Sequence, residues 1–490
     1  MEQKLHVQYL ATFSVALAAM TASVAFSWTT PVIPKFHANE TGITLTDTEI
    51  SWLVSSVSPG LMIGCIISRF TSDWFGRRAT LLGTGFPFTI GTIFVVTATK
   101  AWQLWIARFC WGLGKGAISP VVMIYVSEIA AKEIRGSLSV ISCYMFMFGS
   151  FLVVTVGAVA SYQTLSYMLV ALSICYFAAC WWTPETPYYL LKQGKIASAK
   201  KALMRLNCYK DEKILEEKLT DMRLHVIQEM KNSGTVKELL TGKQYRKAIL
   251  IAMGLRITQT MTGVIPLLQY LGRILQETNS NISISVGMIT YSGIRFIMCM
   301  VASFLVDKVG RRPLLICSYT GASLMLLALG TIFYFQEILN KTSIYFGYIT
   351  FSMLICNCTI STLGFDTVNF VIAAEIFPLN IKSTAMTFLN LFVAFVSFFN
   401  VRGYQIIKDL SGLHGVFWMF ACFALSGAIF SYVVVPETKG KSLREIQVEL
   451  QGNMYEEANE KVKKDMEQEA DTQRLNDIDK SDETTNLKVK

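Results

Sequence analysis

The sequence predicts an all-α polytopic membrane protein with twelve transmembrane helices arranged as two pseudo-symmetric six-helix halves. Three observations carry that expectation. Charge is sparse over most of the chain, twelve apolar runs are long enough to span a bilayer, and one set of polar landmarks occurs twice. Of the 490 residues, 52% are hydrophobic and 16% charged, with a mean hydropathy of +0.42. Soluble domains average about 25% charged. Segments 184–247 and 436–490 hold 24 of the 44 Lys and Arg residues and 22 of the 35 Asp and Glu residues. The rest of the chain is only about 9% charged, too little to solvate a surface in water.

The apolar runs lie near 9–31, 51–70, 80–98, 102–127, 138–160 and 163–182, then 247–272, 284–306, 314–335, 345–374, 384–406 and 415–435. A spanning helix needs roughly 20 apolar residues. Helices are the expected form because they satisfy their own backbone hydrogen bonds in lipid, whereas an outer-membrane barrel would show alternating segments of about ten residues. The loops after the even-numbered runs carry Arg77, Arg78, Lys132, Arg135, the 14 basic residues of 184–247, Lys308, Arg311, Arg312 and Lys382. The positive-inside rule therefore expects both termini in the cytoplasm. Sequons at Asn39, Asn281 and Asn340 fall in loops expected outside, where N-glycosylation is possible.

The repeat sets the division into halves. Asp73-Trp-Phe-Gly-Arg77-Arg78 recurs 234 residues later as Asp307-Lys-Val-Gly-Arg311-Arg312. Glu128 with Arg135 recurs after 247 residues as Glu375 with Lys382, and Pro184-Glu185-Thr186 after 252 residues as Pro436-Glu437-Thr438. The expected organisation is an N-terminal half over 1–183, a cytoplasmic linker with short amphipathic helices over 184–246, a C-terminal half over 247–435 and a disordered tail over 436–490. Arginines beside helix ends, with Glu128, Glu185, Glu375 and Glu437 at matching boundaries, are expected to pair across the seam between the halves as two-state latches.

Other classes find no support. The net charge of +9 comes from dispersed basic residues without a nucleic-acid motif, so no nucleic-acid partner is expected. The eleven cysteines sit mostly inside apolar runs, without paired zinc-finger spacing. The first run is too long for a signal-peptide core and lacks a small-residue cleavage site. Gly112-Leu-Gly-Lys-Gly116 lacks the context and spacing of a phosphate loop and fits close helix packing. No catalytic set, metal cluster or nucleotide fingerprint is present, so neither an enzyme nor a cofactor is expected.

The motifs resemble the sugar porter family of the major facilitator superfamily over roughly residues 9–445. Arg108 with Gly112, Gly114 and Gly116 fits the glycine series of helix 4, and Tyr125, Glu128, Arg135 and Gly136 fit the Glu–Arg motif after it. Pro184-Glu-Thr-Pro187, Glu375-Ile-Phe-Pro378 and Pro436-Glu-Thr-Lys-Gly440 follow helices 6, 10 and 12. Residues 125–138 and the Lys-rich central loop look most like the insect facilitated trehalose and hexose transporters.

The resemblance implies the major facilitator fold, alternating access and a sugar held in a central cavity by hydroxyl-directed amides and an aromatic face. Here the family pattern departs. Helix 7 reads Gln259-Thr260-Met-Thr262-Gly-Val-Ile265, helix 5 has Cys143 where glutamine is common, and helix 11 has Ser397 where asparagine is common. Helix 10 reads Gly364-Phe-Asp366-Thr-Val-Asn369-Phe370, without the family's prolines and tryptophan. Gln259, Thr260, Thr262, Asn369, Cys143 and Ser397 are the expected polar contacts, with Phe370 as ring platform and Arg295 in place of a sugar-facing asparagine. Arg108, Lys115, Arg256 and Asp366 also lie within spans, where an ionisable group costs at least about 2.5 kcal/mol unless it faces protein or a wet cavity. A structural Arg295–Asp366 pair or a snorkelling Lys115 is the plain alternative.

Proton-driven relatives place a carboxylate in helix 1 near the helix 4 arginine. Helix 1 here has no acid, so passive transport of a sugar such as trehalose or a hexose across the plasma membrane is expected. Asp366 is the alternative proton site. A carrier of a polar or anionic solute using Arg256 or Arg295, and a non-transporting sugar sensor, stay open.

Overall fold

The computed structural model describes residues 6–451 apart from 132–133, 208–211, 232–235, 279–281, 339–343 and 442. Lys132, the sequons at Asn281 and Asn340, and the tail beyond residue 451 lie outside the described residues, as does the side chain of Arg135.

Eleven helical stretches among the described residues are long and apolar enough to cross a membrane. Spans 1 to 6 are His6–His37, Asp47–Trp74, Arg77–Val96, Ala101–Ile129, Gly136–Val159 and Tyr162–Trp182. Spans 7 to 10 are Lys243–Gln269, Ile284–Val309, Arg311–Glu337 and Tyr345–Ile376. The last stretch, Thr384–Val433, has 50 residues, about 75 Å at 1.5 Å per residue and more than twice a bilayer core of about 30 Å. Gly412 breaks it with φ 76° and ψ −176°, giving spans 11 and 12 and a total of twelve. Glu337 at the end of span 9 accepts the Leu413 N–H at 2.9 Å, satisfying a backbone donor where span 12 begins.

Spans 1, 7 and 10 are interrupted at Trp28, Gly263 and Gly364. Interruptions expose backbone groups that need partners, so they lie against protein rather than lipid. Spans 2 and 4 approach most closely at glycine. A Cβ on Gly112 would stand 2.1 Å from the Val57 carbonyl oxygen, and one on Gly116 2.2 Å from that of Leu61, so the glycine series is packing. Four short helices, Pro187–Lys192, Ile196–Asn207, Glu212–Lys231 and Val236–Thr241, follow span 6. The first three bury Leu191, Ala199, Leu203, Leu215, Leu219 and Val226 together.

The two halves meet where span 5 packs on span 8 and span 2 on the long final helix. Phe151 and Phe296 stack across the first of these contacts, ring centroids 6.1 Å apart. One buried apolar cluster runs through the N-terminal half and continues across the seam into Leu267, Leu271 and Ile274, at the end of the bundle away from the linker. A second cluster, from Leu239 through Ile372 to Leu450, belongs to the C-terminal half alone. The halves therefore share a core at the far end and keep separate cores at the linker end.

Candidate functional site

The polar contacts between the halves gather at the far end. The Arg108 guanidinium, fully buried in span 4, donates to the Ala25 carbonyl at 2.7 Å, the Phe26 carbonyl at 3.1 Å and the Gln269 side-chain oxygen at 3.1 Å. Two of these acceptors are carbonyls freed where span 1 breaks, and the third lies in the other half. Thr29 donates to Gln269 at 3.3 Å and Thr30 to the Leu268 carbonyl at 2.8 Å. Arg402 donates to Ser51 at 3.0 Å with its guanidinium 4.3 Å above the Trp52 ring. Arg273, 2.8 Å from Glu277, also reaches Asp47 at 3.8 Å. This end is closed by buried hydrogen bonds, cation–π contact and ion pairing together.

Below the seal lies a small cavity of about 40 Å³, lined by Phe26 and Ser27 of span 1, Phe146, Met147 and Ser150 of span 5, Val264, Ile265 and Leu268 of span 7, and Arg295 of span 8. It has room for a few waters. Ser27 and Ser150 share a hydrogen bond of 2.8 Å, tying the two N-terminal spans together at its wall.

Of the expected contacts, Arg295 alone lines this cavity, and it faces Asp366 at 3.6 Å. Gln259 donates to the other Asp366 oxygen at 3.3 Å and accepts from Arg256 at 3.3 Å. Arg256 also lies 3.8 Å over the Phe370 ring, so the expected ring platform is covered by a cation in this conformation. The Thr260 and Thr262 hydroxyls donate to carbonyls four residues back, at 2.8 and 2.7 Å, in this conformation. Asn369 turns into the C-terminal half, donating to the Leu255 carbonyl at 3.3 Å and the Tyr319 hydroxyl at 3.2 Å. Ser397 is buried with its hydroxyl unpartnered, and Cys143 is an exposed free thiol on span 5. Lys115 does not snorkel; its ammonium lies 3.2 Å over the Phe26 ring.

The duplicated landmarks fold into duplicated clusters. Arg77 pairs with Glu128 at 2.8 Å, and Thr186 donates to the other Glu128 oxygen at 2.6 Å. In the second half Arg311 pairs with Glu375 at 3.0 Å, and Thr438 donates to it at 2.6 Å. Glu185 accepts the backbone N–H groups of Arg77 at 3.1 Å and Arg78 at 3.2 Å, capping the start of span 3. Glu437 caps span 9 through Arg311 and Arg312, both at 3.0 Å. Carboxylates suit these positions because a helix N-terminus carries unpaired donors and positive partial charge. Gly76 and Gly310 precede the capped turns with φ of 98° and 106°, and a Cβ on Gly76 would stand 2.4 Å from Glu185. Asp73 and Asp307 flank the arginines, at 3.5 and 3.1 Å.

In this conformation, closed at the far end, the pairs lie within each half rather than across the seam. Arg77, Glu128 and Glu185 all belong to one half, and Arg311, Glu375 and Glu437 to the other, because each arginine opens a span whose start lies beside its own half's span ends. Arg78 and Arg312 likewise bond the Trp181 and Tyr432 carbonyls within their halves. Lys382 is half-buried near Glu375, and burial pushes its ammonium pKa down. Burial also pushes the Glu185 carboxyl up, incompletely offset by the backbone bonds it accepts. At Glu437 burial acts in the same direction, but the N–H groups of Lys439, Arg311, Arg312 and Thr438 together outweigh it and hold the carboxyl below its ordinary value.

Sequence reasoning missed Phe26, Ser27, Phe146, Met147 and Ser150 as cavity walls, and Gln269, Arg273 and Arg402 as the seal. The break after Phe26-Ser27, with Pro31 and Pro34 following, was the available signal for span 1.

Comparison with known proteins agrees with this architecture. The chain is 28% identical over 446 residues to "Facilitated trehalose transporter Tret1" of Bombyx mori, covering 91% of this chain and 87% of that protein. It is 28% identical over 448 residues to the protein of the same name from Apis mellifera ligustica, covering 91% and 88%. The inward open conformation of the xylose transporter XylE from E. coli superposes with a TM-score of 0.71 at 22% identity, over 89% of this chain and 99% of that one. XylE bound to 6-bromo-6-deoxy-D-glucose superposes with a TM-score of 0.69 at the same identity, over 89% and 98%. The profile described as "Sugar (and other) transporter" matches residues 9–450, and this multi-pass membrane chain, with its major facilitator fold, belongs to that family of transporters.

Proposed function

We propose that the chain is a facilitative carrier of a sugar such as trehalose or a hexose, moving it by alternating access through the cavity between the halves. The observation that carries this reading is the asymmetric seam: hydrogen bonds and a shared core join the halves at the far end, while their cores are separate at the linker end. A cavity of about 40 Å³ is far below the roughly 300 Å³ at which small-molecule pockets begin, so a sugar enters only as the halves part. The duplicated arginine–glutamate clusters stiffen each half, which lets the halves rock as bodies. Uniport is supported by Arg108, whose described acceptors are carbonyl oxygens and Gln269, with no carboxylate among them to exchange a proton. The basic loops support a cytoplasmic linker and cytoplasmic termini, in a plasma-membrane protein whose exposed Asn39 faces outside, open to glycosylation.

A second reading, a carrier of anionic or other polar solutes, draws on Arg256, whose Nε and one terminal nitrogen are buried without hydrogen-bond partners. Reconstitution into proteoliposomes with a mixed solute panel separates the readings. Trehalose or hexose flux is expected; flux of organic acids alone supports the second reading, and ligand binding without any flux overturns transport in favour of a sensor.

A further inference from the structure

Asp366, buried in span 10 away from the helix-end clusters, lies behind a cavity-lining arginine. Arg295 and Asp366 are 16% and 8% exposed. At 3.6 Å their contact is electrostatic rather than a hydrogen bond, and the facing Asp366 oxygen accepts none. The other Asp366 oxygen is held by Gln259, which also accepts from Arg256. One carboxylate thus stands between two guanidinium groups, on spans 8 and 7. Arg295 makes no hydrogen bond within the described structure, so its donors remain available to a solute in the cavity while its charge is balanced from behind.

We propose that Asp366 is the charge selector of this carrier: by balancing Arg295 it makes the cavity accept uncharged polyhydroxylated solutes and reject charged ones of the same shape. The inference rests on the sugar-transport reading and names its substrate class. Removing one partner of a buried pair leaves the other charge uncompensated, and a solute of opposite charge then supplies what is missing. Asp366→Asn exposes the cavity to Arg295 without a counter-anion and favours an acidic sugar. Arg295→Gln leaves Asp366 facing the cavity and favours an amino sugar. The two variants shift selectivity in opposite directions, which a merely structural pair would not do.

The test is uptake by proteoliposomes of glucose, glucuronate and glucosamine, with each variant first checked for a monodisperse elution profile. The wild type is expected to carry glucose and exclude both charged analogues. Asp366→Asn is expected to raise the glucuronate-to-glucose ratio about tenfold, and Arg295→Gln to raise the glucosamine-to-glucose ratio in the same way. Either variant carries the test if the other fails to fold. A wild type that takes glucuronate as readily as glucose overturns the proposal, as do unchanged ratios in a folded variant. A wild type that carries no sugar overturns the transport reading instead, so the two failures are distinct.

Discussion

Arg108 in span 4 donates to the side-chain oxygen of Gln269 in span 7 at 3.1 Å, a hydrogen bond from one half of the protein to the other. It is buried and its donor is charged, so its loss costs about 1.5–3 kcal/mol. Gln269→Ala is expected to loosen the far end and shift the population toward the conformation open there. Labelling of a cysteine placed at Thr30, which bonds the same seam through Leu268, should accelerate at least tenfold or so. An unchanged labelling rate contradicts the assignment of this bond to the seal.

The two arginine–glutamate clusters share a geometry but not an environment. The Arg77 and Glu128 side chains are 6% and 9% exposed, whereas those of Arg311 and Glu375 are 12% and 25% exposed. Breaking a buried pair by removing one partner costs about 3–5 kcal/mol, while more exposed pairs are worth about 0–1 kcal/mol. Arg77→Ala is therefore expected to lower the melting temperature in detergent clearly more than Arg311→Ala does. Equal losses would mean that the second cluster is as dry as the first.

These elements also show where the sequence was legible. Lipid forces long apolar helices, so span positions follow from composition, and duplication marked Glu128 and Glu375 without any alignment. Their partners were legible as residue types but not as topology: nothing in the spacing says that Arg77 closes onto its own half. The cavity was harder still. Thr260 and Asn369 are polar residues in apolar runs, which suggests a solute, but each bonds a nearby backbone carbonyl instead. The walls fell to Phe26, Met147 and Ile265, which look like any other apolar residue in a membrane span.

Acid separates the two capping carboxylates. Glu185 is raised above its ordinary 4.5 by burial, so the folded protein takes up that proton before the unfolded chain does. Its contribution to stability is full below 4.5 and is lost as pH rises through the folded value. Glu437 is lowered, so its contribution is present above 4.5 and lost as pH falls through its folded value. Melting curves from pH 7 to 3 should show the wild type gaining on Glu185→Gln as pH falls toward 4.5, and losing ground to Glu437→Gln only below 4.5. Parallel curves for both variants contradict the opposite shifts.

Ile265 lines the cavity, and the space there is small. Ile265→Trp adds bulk that the walls cannot accept without moving apart. Sugar flux is expected to fall at least about tenfold, with expression and elution profile retained. Full flux in this variant places the solute path elsewhere.

The proposed passive sugar transport turns on buried Arg108, whose described acceptors are carbonyl oxygens and an amide and include no carboxylate. Its most direct test is the time course of trehalose and glucose uptake into proteoliposomes, with and without an inward proton gradient. A uniporter takes up at least one sugar to equilibrium and no further, at a rate the gradient does not change. Accumulation above equilibrium under the gradient, or no uptake of either sugar, contradicts it.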